Sequence, residues 1–427
     1  MHLVDFTIRN FKSYKEETLF TFEALEDDFM SGNFFTVPLS DGSEMRLLKS
    51  AALYGANAAG KSNIVWALKA LVYMVRASRN FPVGFKIPFE PFRSGDKNIP
   101  DTYFSIRFIV EGRMYRYSIS YNAERFSSEQ LTVLCSGKEK KILAKDGDNF
   151  SFGEGWESPS LDLSDVKFLA NHLLLSELAV KPQNNLQQLY SAIAGMIAEP
   201  VMNNFNLRAK NINVGRDILK ERDSVIFKRL NNLMHIADFG IVGLEMNRHD
   251  DEDFHIPDSI PEAVKNQFID DNRWEFKTLH RTKDNGMISF PLEDESTGTQ
   301  NMFSLGSIVL QVLSQGGFLA YDEMDIAVHP QLFKLLVTLF HTPEANPYNA
   351  QILFTTHNTI IVNETEGIMR ADQVWFAEKD EYGESTLFSA QDFEGISIVV
   401  PFERWYRNGR FGALPNIGDI SKLFQQQ

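Results

Sequence analysis

The sequence predicts an α/β fold in which one sheet is interrupted by an inserted lobe. Near the N-terminus, a short apolar run at 51–54 leads into a glycine-containing loop and an amphipathic helix at 61–75. Near the C-terminus the predicted order is helix, strand, helix and strand, at about 299–313, 318–321, about 330–341 and 351–355. Strands that alternate with helices are typical of a sheet covered by helices, so the long segment between the two groups is predicted to be an insertion.

Two segments outside this sheet alternate apolar and polar residues. Residues 3–22 alternate in two runs around 12–15, and residues 102–121 alternate on either side of Glu111 and Gly112. A period of two that is broken by a turn predicts an antiparallel hairpin, so both segments are predicted to belong to a β-rich lobe.

The middle of the chain divides into a helical and an irregular part. Residues 165–250 look mostly helical, whereas residues 248–296 are polar and are predicted to be irregular apart from a strand-like run at 287–291. We therefore divide one domain, 1–427, into three parts. These are a P-loop and β-rich lobe at 1–160, an inserted mainly helical lobe at 161–285, and a C-terminal lobe with its extension at 286–427.

Composition and charge exclude several classes of protein. The 427 residues are 43% hydrophobic and 23% charged, with a formal net charge of −15, which disfavours non-specific coating of nucleic acid. A single cysteine, Cys135, cannot form an internal disulfide or a multi-cysteine zinc site. Charged residues break up the N-terminus, and there is no apolar run of about 18 residues. We expect a cytoplasmic protein without a membrane span.

Residues 55–62 fit the phosphate-binding pattern G-x-x-x-x-G-K-[ST]. Gly55 and Gly60 let the backbone curl so that successive N–H groups point at phosphate, and the helix N-terminus adds partial positive charge. Lys61 is predicted to reach the β- and γ-phosphates of ATP, and the Ser62 hydroxyl is predicted to bind Mg²⁺. Asn57 lies within this loop and is predicted to contact the nucleotide.

Two later strands end in polar residues that suit the same chemistry. The strand at 318–321 runs into Asp322, predicted to hold Mg²⁺, and Glu323, predicted to polarise the attacking water. The strand at 351–355 is followed by His357, which is predicted to sense the γ-phosphate. Ligands of parallel sheets bind at the carboxyl ends of strands, so these side chains are predicted to face one nucleotide.

A second anion-binding helix start precedes the acidic strand. In Glu-Ser-Thr-Gly-Thr-Gln at 295–300, Ser296 is a good N-cap and Gly298 lets backbone N–H groups approach an anion. This helix cannot be the P-loop helix, so it indicates a composite site. One protomer would supply the P-loop, and its partner would present Ser296, Thr297 and Gly298 to the γ-phosphate.

These motifs resemble those of the SMC and RecF-type ATPase heads. The opening at 6–14, GANAAGKSN at 55–63, ESTGTQ at 295–300, YDEMD at 321–325 and TTHN at 355–358 are similar to that family in order and spacing. The resemblance implies an ABC-type ATPase head: a P-loop mixed sheet with flanking helices, an antiparallel β lobe and an inserted helical lobe. It also implies that Asn63 belongs to the nucleotide site and that Asp325 is the D-loop acid.

The C-terminal part resembles the AAA-type, RloA-like ATP-binding proteins of bacterial defence and restriction loci. The similar segments are QVWFAEK at 373–379 and GRFGALP at 409–415. The resemblance implies a homodimer bridged by two ATP molecules, with larger oligomers allowed, and ATP hydrolysis with Mg²⁺. It also implies a toxin or nuclease effector encoded nearby, which the dimer regulates in anti-phage defence.

Other functions stay open at this stage. A RecF-like ATPase that binds DNA in repair is the main alternative, because residues 208–229 carry a net charge of +4 that a dimer could gather into one groove. A nuclease of the OLD type would need a further acidic domain, for which too few residues follow His357. A solitary P-loop kinase or NTPase leaves the element at 295–300 unexplained. The acids at 250–253 beside His249 are interpreted as a solvated loop and not a metal site.

Overall fold

The computed structural model describes residues 1–95, 98–135, 137–154, 156, 169–180, 186–200, 225–238, 240–257, 259–363, 365–393 and 402–411. The strands in this part of the chain are β1 His2–Arg9, β2 Thr18–Thr21, β3 Phe34–Pro38, β4 Glu44–Leu48, β5 Ser50–Gly55, β6 Thr102–Val110, β7 Arg113–Tyr121, β8 Phe126–Cys135, β9 Lys138–Asp146, β10 Asn149–Phe152, β11 Ile197–Glu199, β12 Ile241–Arg248, β13 Trp274–Arg281, β14 Met287–Pro291, β15 Phe318–Tyr321, β16 Gln351–Thr355, β17 Val374–Lys379 and β18 Ser385–Ser389. The helices are α1 Lys61–Ala77, α2 Leu174–Leu178, α3 Leu186–Ala194, α4 Val225–Ala237, α5 Glu262–Asn272, α6 Thr297–Gln315, α7 Pro330–His341 and α8 Phe402–Arg407.

A six-stranded mixed sheet positions the site. Its strand order is β11-β15-β16-β5-β17-β18, with every pair parallel except β17 and β18. The inner strands are apolar and buried on both faces, as expected for parallel strands covered by helices. The predicted bounds of β15, α7 and β16 agree with the structure, and α1 begins at the predicted lysine.

A seven-stranded antiparallel sheet forms the predicted β lobe, in the order β10-β9-β8-β7-β6-β1-β2. Both predicted hairpins are present: β1 pairs with β2, and β6 pairs with β7 across a turn in which Glu111 and Gly112 have positive φ. Inward-facing aromatic residues of this sheet, including Phe6, Phe104 and Tyr117, pack in one core with the apolar face of α1. The predicted α/β fold class, with its mixed sheet and antiparallel lobe, is confirmed.

The middle of the chain contains more strand than the sequence predicted. Helices α2, α3 and α4 lie in the segment expected to be helical, but β11 joins the edge of the mixed sheet and β12 leads a three-stranded antiparallel sheet. The prediction that 248–296 is irregular up to 287 is wrong, because α5 and β13 lie there. Strand β14 matches the predicted run. The basic positions 208–224 lie outside the described residues.

No helix of the described residues is both long and apolar enough to cross a membrane.

Candidate nucleotide site

The P-loop begins where β5 ends and closes where α1 begins. Gly55 and Gly60 have φ angles of +151° and +111°. A Cβ on Gly55 would clash with the carbonyl oxygen of Ala377, and one on Gly60 would lie 2.5 Å from the Ser385 Oγ atom. Glycine is therefore required at both positions by space as well as by conformation. Asn57 lies at the exposed tip of the loop.

Lys61 is the buried cation of this loop. Its side chain is 6% exposed, and its Nζ atom donates to the carbonyl oxygens of Gly55 at 2.8 Å and Ala56 at 2.9 Å. Burial lowers the pKa of Lys61, while the nearby carboxylates of Asp322 and Glu323 act in the opposite direction. The ammonium group therefore lies inside the loop and within the field of the acidic strand end.

Three polar side chains, those of Ser13, Asn63 and Ser385, support the loop. The sequence analysis did not identify Ser13 or Ser385 as part of the site. Ser385 Oγ lies 2.7 Å from the carbonyl oxygen of Ala59 and 2.8 Å from Ser13 Oγ. Asn63 Nδ2 donates to Ser13 Oγ at 2.7 Å. The side chain of Asn63 thus ties the tip of the β1–β2 hairpin to α1. These contacts hold the loop against β18 and the N-terminal hairpin.

The acidic end of β15 is organised by a threonine from the next strand. Asp322 is 3% exposed, and its Oδ1 atom accepts a hydrogen bond from Thr355 Oγ1 at 2.6 Å. The same Thr355 oxygen accepts from the backbone N–H of Glu323 at 2.7 Å. Glu323 itself has a φ angle of +50°, which is uncommon for a residue with a side chain.

Glu323 and His357 have shifted pKa values that suit their predicted roles. Burial raises the pKa of Glu323, and the charge of Asp322 raises it further, while Lys61 opposes the shift. Burial lowers the pKa of His357, and Lys61 adds to this, so the imidazole is neutral at pH 7. The backbone N–H of His357 donates to Asp325 Oδ2 at 3.4 Å, which connects the two loops.

The predicted second anion-binding helix start, at Ser296, Thr297 and Gly298, lies beside the loop that follows Glu323. Ser296 Oγ accepts from the backbone N–H of Thr299 at 3.1 Å, so the predicted N-cap is present. Ser296 and Thr297 are exposed. A Cβ on Gly298 would lie 3.0 Å from the carbonyl oxygen of Ala327, in the segment after Asp325.

The donors present fit Mg²⁺ and a nucleotide phosphate. The glycine loop offers backbone N–H groups at a helix N-terminus, and Lys61 supplies a cation beside them. Ser62 offers a hydroxyl oxygen and Asp322 a carboxylate oxygen, which are the hard ligands that Mg²⁺ prefers. The described residues contain no cluster of three or more His, Cys, Asp or Glu able to hold a metal ion.

A glycine cradle, a buried lysine and an acidic strand end on a mixed sheet define a P-loop nucleotide-binding domain. Residues 50–363 match the family described as "AAA domain, putative AbiEii toxin, Type IV TA system". The chain belongs to this family of AAA-type ATPases. No curated protein matches the chain.

Three solved structures are similar to the chain at low sequence identity. The Smc head bound to the C-winged helix domain of ScpA is 13% identical, with a TM-score of 0.42 over 91% of this chain and 97% of that one. The SMC head domain from Thermotoga maritima is 14% identical, with a TM-score of 0.42 over 91% and 99%. The Smc head with an extended coiled coil bound to the C-terminal domain of ScpA, from Pyrococcus furiosus, is 12% identical, with a TM-score of 0.39 over 96% and 99%.

Proposed function

We propose that this chain is an ABC-type ATPase that hydrolyses ATP with Mg²⁺, and that its ATP-dependent dimerisation regulates a partner effector in anti-phage defence. The observation that supports this most is the convergence of Lys61, Asp322 and Glu323 at the carboxyl ends of strands in one mixed sheet. A cation, a metal-binding carboxylate and an acid of raised pKa are the groups that phosphoryl transfer to water requires.

Each group has a distinct role in the proposed reaction. Lys61 and the loop N–H groups bind the β- and γ-phosphates. Glu323 accepts a proton from water as the water oxygen bonds to the γ-phosphorus and the bond to the bridging oxygen breaks, giving ADP and phosphate. The neutral His357 donates a hydrogen bond to the γ-phosphate. Ser62 and Asp322 would hold Mg²⁺, which would supply positive charge beside the phosphate oxygens.

The exposure of the second anion-binding helix start supports the proposed composite site. Ser296 and Thr297 are exposed at the N-terminus of the 19-residue α6, where backbone N–H groups and the helix dipole favour an anion. In the proposed dimer, this end of one protomer contacts the γ-phosphate held by the P-loop of its partner. Two ATP molecules then bridge a symmetric pair, and Asp325 lies at the interface.

The effector role has separate support. The description of the family names a toxin of a Type IV toxin–antitoxin system, and the segments at 373–379 and 409–415 resemble proteins of defence and restriction loci. In this proposal, the ATP-bridged dimer and the nucleotide-free protein differ in shape, so such a partner can distinguish the two states. We propose that the effector, a toxin or nuclease encoded nearby, is held or released according to the bound nucleotide.

Mixing two inactive variants tests the composite site. Lys61→Ala removes one half of each site, and Ser296→Arg blocks the other half. A mixed pair retains one intact site, so random mixing should restore up to about a quarter of the wild-type ATPase rate. Ser314→Arg, near the opposite end of α6, is the control and should keep its activity. A mixture as inactive as either variant alone would contradict a shared site.

A further inference from the structure

The C-terminal segment at 402–411 is bound to the loop that carries His357. Glu403, on α8, uses both carboxylate oxygens for this contact. Oε1 accepts from Thr359 Oγ1 at 2.9 Å, and Oε2 accepts from Asn363 Nδ2 at 2.5 Å. Thr359 follows the histidine by two residues, so one acid fixes the loop on the C-terminal side of the predicted γ-phosphate sensor.

The same helix also packs against the residue that precedes the P-loop. The ring centroids of Tyr406 and Tyr54 are 5.5 Å apart, and the Tyr54 hydroxyl donates to the carbonyl oxygen of Asn358 at 2.8 Å. One helical turn therefore contacts Tyr54, at the start of the P-loop, and the loop at residues 358–363.

An aromatic anchor holds this segment on the mixed sheet. Phe411 is 1% exposed and stacks on Phe376 of β17, with ring centroids 4.4 Å apart. The guanidinium of Arg410 lies 3.5 Å from the ring centroid of Trp405, which also packs near Phe411. These contacts do not involve the predicted nucleotide-binding loops. The anchor can therefore hold Glu403 and Tyr406 in place while ATP is bound and hydrolysed.

We propose that residues 402–411 form a clasp in which Glu403 and Tyr406 are positioning residues for ATP hydrolysis. The inference rests on the proposed ATPase function. Glu403 orients the loop that presents His357, so its contribution falls on the rate of the chemical step. The ring of Tyr406 packs against Tyr54 at the start of the phosphate-binding loop, so its contribution falls on the affinity for ATP. Neither side chain touches the reacting atoms.

Two substitutions separate the contributions. In Glu403→Met, the side chain keeps a similar length but has no oxygen, so the hydrogen bonds from Thr359 and Asn363 are both lost. We expect kcat to fall roughly tenfold or more, the scale of hydrogen bonds to a charged group, with an unchanged Kd for a non-hydrolysable ATP analogue. Tyr406→Leu removes the ring that packs against Tyr54, so the Kd should rise several-fold with little change in kcat at saturation, whereas Tyr406→Phe keeps the ring and should bind ATP as the wild type does.

A control and a second route guard against a folding effect. Arg404, exposed on the same helix, is replaced by alanine and should behave as wild type. Thr359→Val removes one hydrogen bond from the loop side, and combining it with Glu403→Met should cost less than the sum of the two single losses. Melting temperatures of all variants are compared in parallel. A stable Glu403→Met that keeps the wild-type kcat, or additive losses in the double variant, would overturn the clasp.

The wild-type measurement separates this inference from the proposed function. A wild-type chain that binds and hydrolyses ATP while both clasp variants match it leaves the ATPase function standing and removes only the clasp. A wild-type chain that neither binds nor hydrolyses ATP with Mg²⁺ removes the proposed function, and the clasp with it.

Discussion

The hydroxyl of Thr355 donates a 2.6 Å hydrogen bond to Asp322 and, through the same oxygen, accepts from the backbone N–H of Glu323 at 2.7 Å. Thr355 is fully buried at the end of β16, one strand away from the two acids. One atom therefore orients the predicted metal ligand and holds the backbone of the predicted catalytic base in its left-handed conformation. Thr355 therefore connects Asp322 and Glu323 through one hydroxyl group.

Thr355→Val should impair hydrolysis more than nucleotide binding. Valine has a similar shape, so it leaves the Asp322 oxygen and the Glu323 N–H without their shared partner inside the protein. We expect kcat to fall roughly tenfold or more and the Mg²⁺ concentration for half-maximal rate to rise, on the scale of about one or two lost hydrogen bonds. Steady-state ATPase assays over a Mg²⁺ titration measure both quantities. Thr355→Ser retains the hydroxyl and should recover most of the activity; equal damage in both variants would argue for a packing role alone.

Lys61→Ala should strongly weaken ATP binding. The lysine ammonium lies inside the loop among backbone carbonyls and near Asp322, so its removal leaves the phosphate-binding loop without its cation. We expect the affinity for ATP to weaken by about two orders of magnitude, as for loss of a charge-assisted contact to phosphate. Isothermal calorimetry measures it. Lys69→Ala, two turns along α1, is the matched control, and wild-type affinity in Lys61→Ala would remove the loop from the nucleotide site.

Glu323→Gln should bind ATP and hydrolyse it slowly. The amide keeps the size of the side chain but cannot accept the proton of the attacking water. A general base typically raises the rate about a hundredfold or more, so we expect a loss of at least that size. Single-turnover assays with a bound-ATP control separate the two steps. Hydrolysis at the wild-type rate would show that another group is the base.

Acid should destabilise the protein partly through His341. This residue ends α7 and is buried, and burial together with nearby Lys49 lowers its pKa to about 3. Gln373 Nε2 donates to Ser50 Oγ at 2.7 Å, and that hydroxyl lies 2.7 Å from His341 Nε2, which accepts its proton when neutral. The folded state therefore resists protonation that the unfolded chain accepts near pH 6.5.

The stability of the fold should thus fall as the pH drops from about 6.5 towards 3, and this part of the loss is absent above pH 7. Between pH 7.5 and pH 5 the contribution of one such histidine is about 2 kcal/mol. Urea unfolding of wild type and His341→Gln at both pH values measures it, since glutamine can accept the Ser50 hydrogen bond and does not titrate. An equal acid loss in the two proteins would contradict the assignment.

Much of the sheet was predictable because its strands have a simple signal. The apolar runs that form β15 and β16 are short, buried on both faces and followed at once by polar residues. Both the bounds of these strands and the polar residues at their ends could therefore be predicted from the sequence. The P-loop was visible for the same reason: its glycines and lysine follow a buried strand and open a helix.

Strands β11 and β13 were not predictable from their own residues. Strand β11 has three residues, and its place is set by pairing with β15 more than a hundred residues later. In β13, Thr278 and His280 face Glu295, which accepts from both side chains, so the strand reads as polar although Thr278 is fully buried. Local periodicity cannot detect burial that depends on a distant hydrogen-bond partner.

The supporting residues of the site were hidden for a similar reason. Ser13 and Ser385 are 372 positions apart, and Thr355 is 32 positions from Glu323. Serine and threonine carry no motif of their own, and their roles arise only when the sheet brings them together. Glu403 and Tyr406 lie before the quoted tail motif, of which residues 412–415 lie outside the described part of the chain.

The central claim is that ATP joins two copies of this chain. Light scattering coupled to size-exclusion chromatography measures the mass of Glu323→Gln with and without Mg-ATP, with Lys61→Ala as the control whose ATP affinity is strongly weakened. The account predicts a mass near that of the 48.7 kDa chain without ATP and about twice that mass with it, in Glu323→Gln alone. A chain that binds ATP and stays a monomer at every concentration would contradict the composite site.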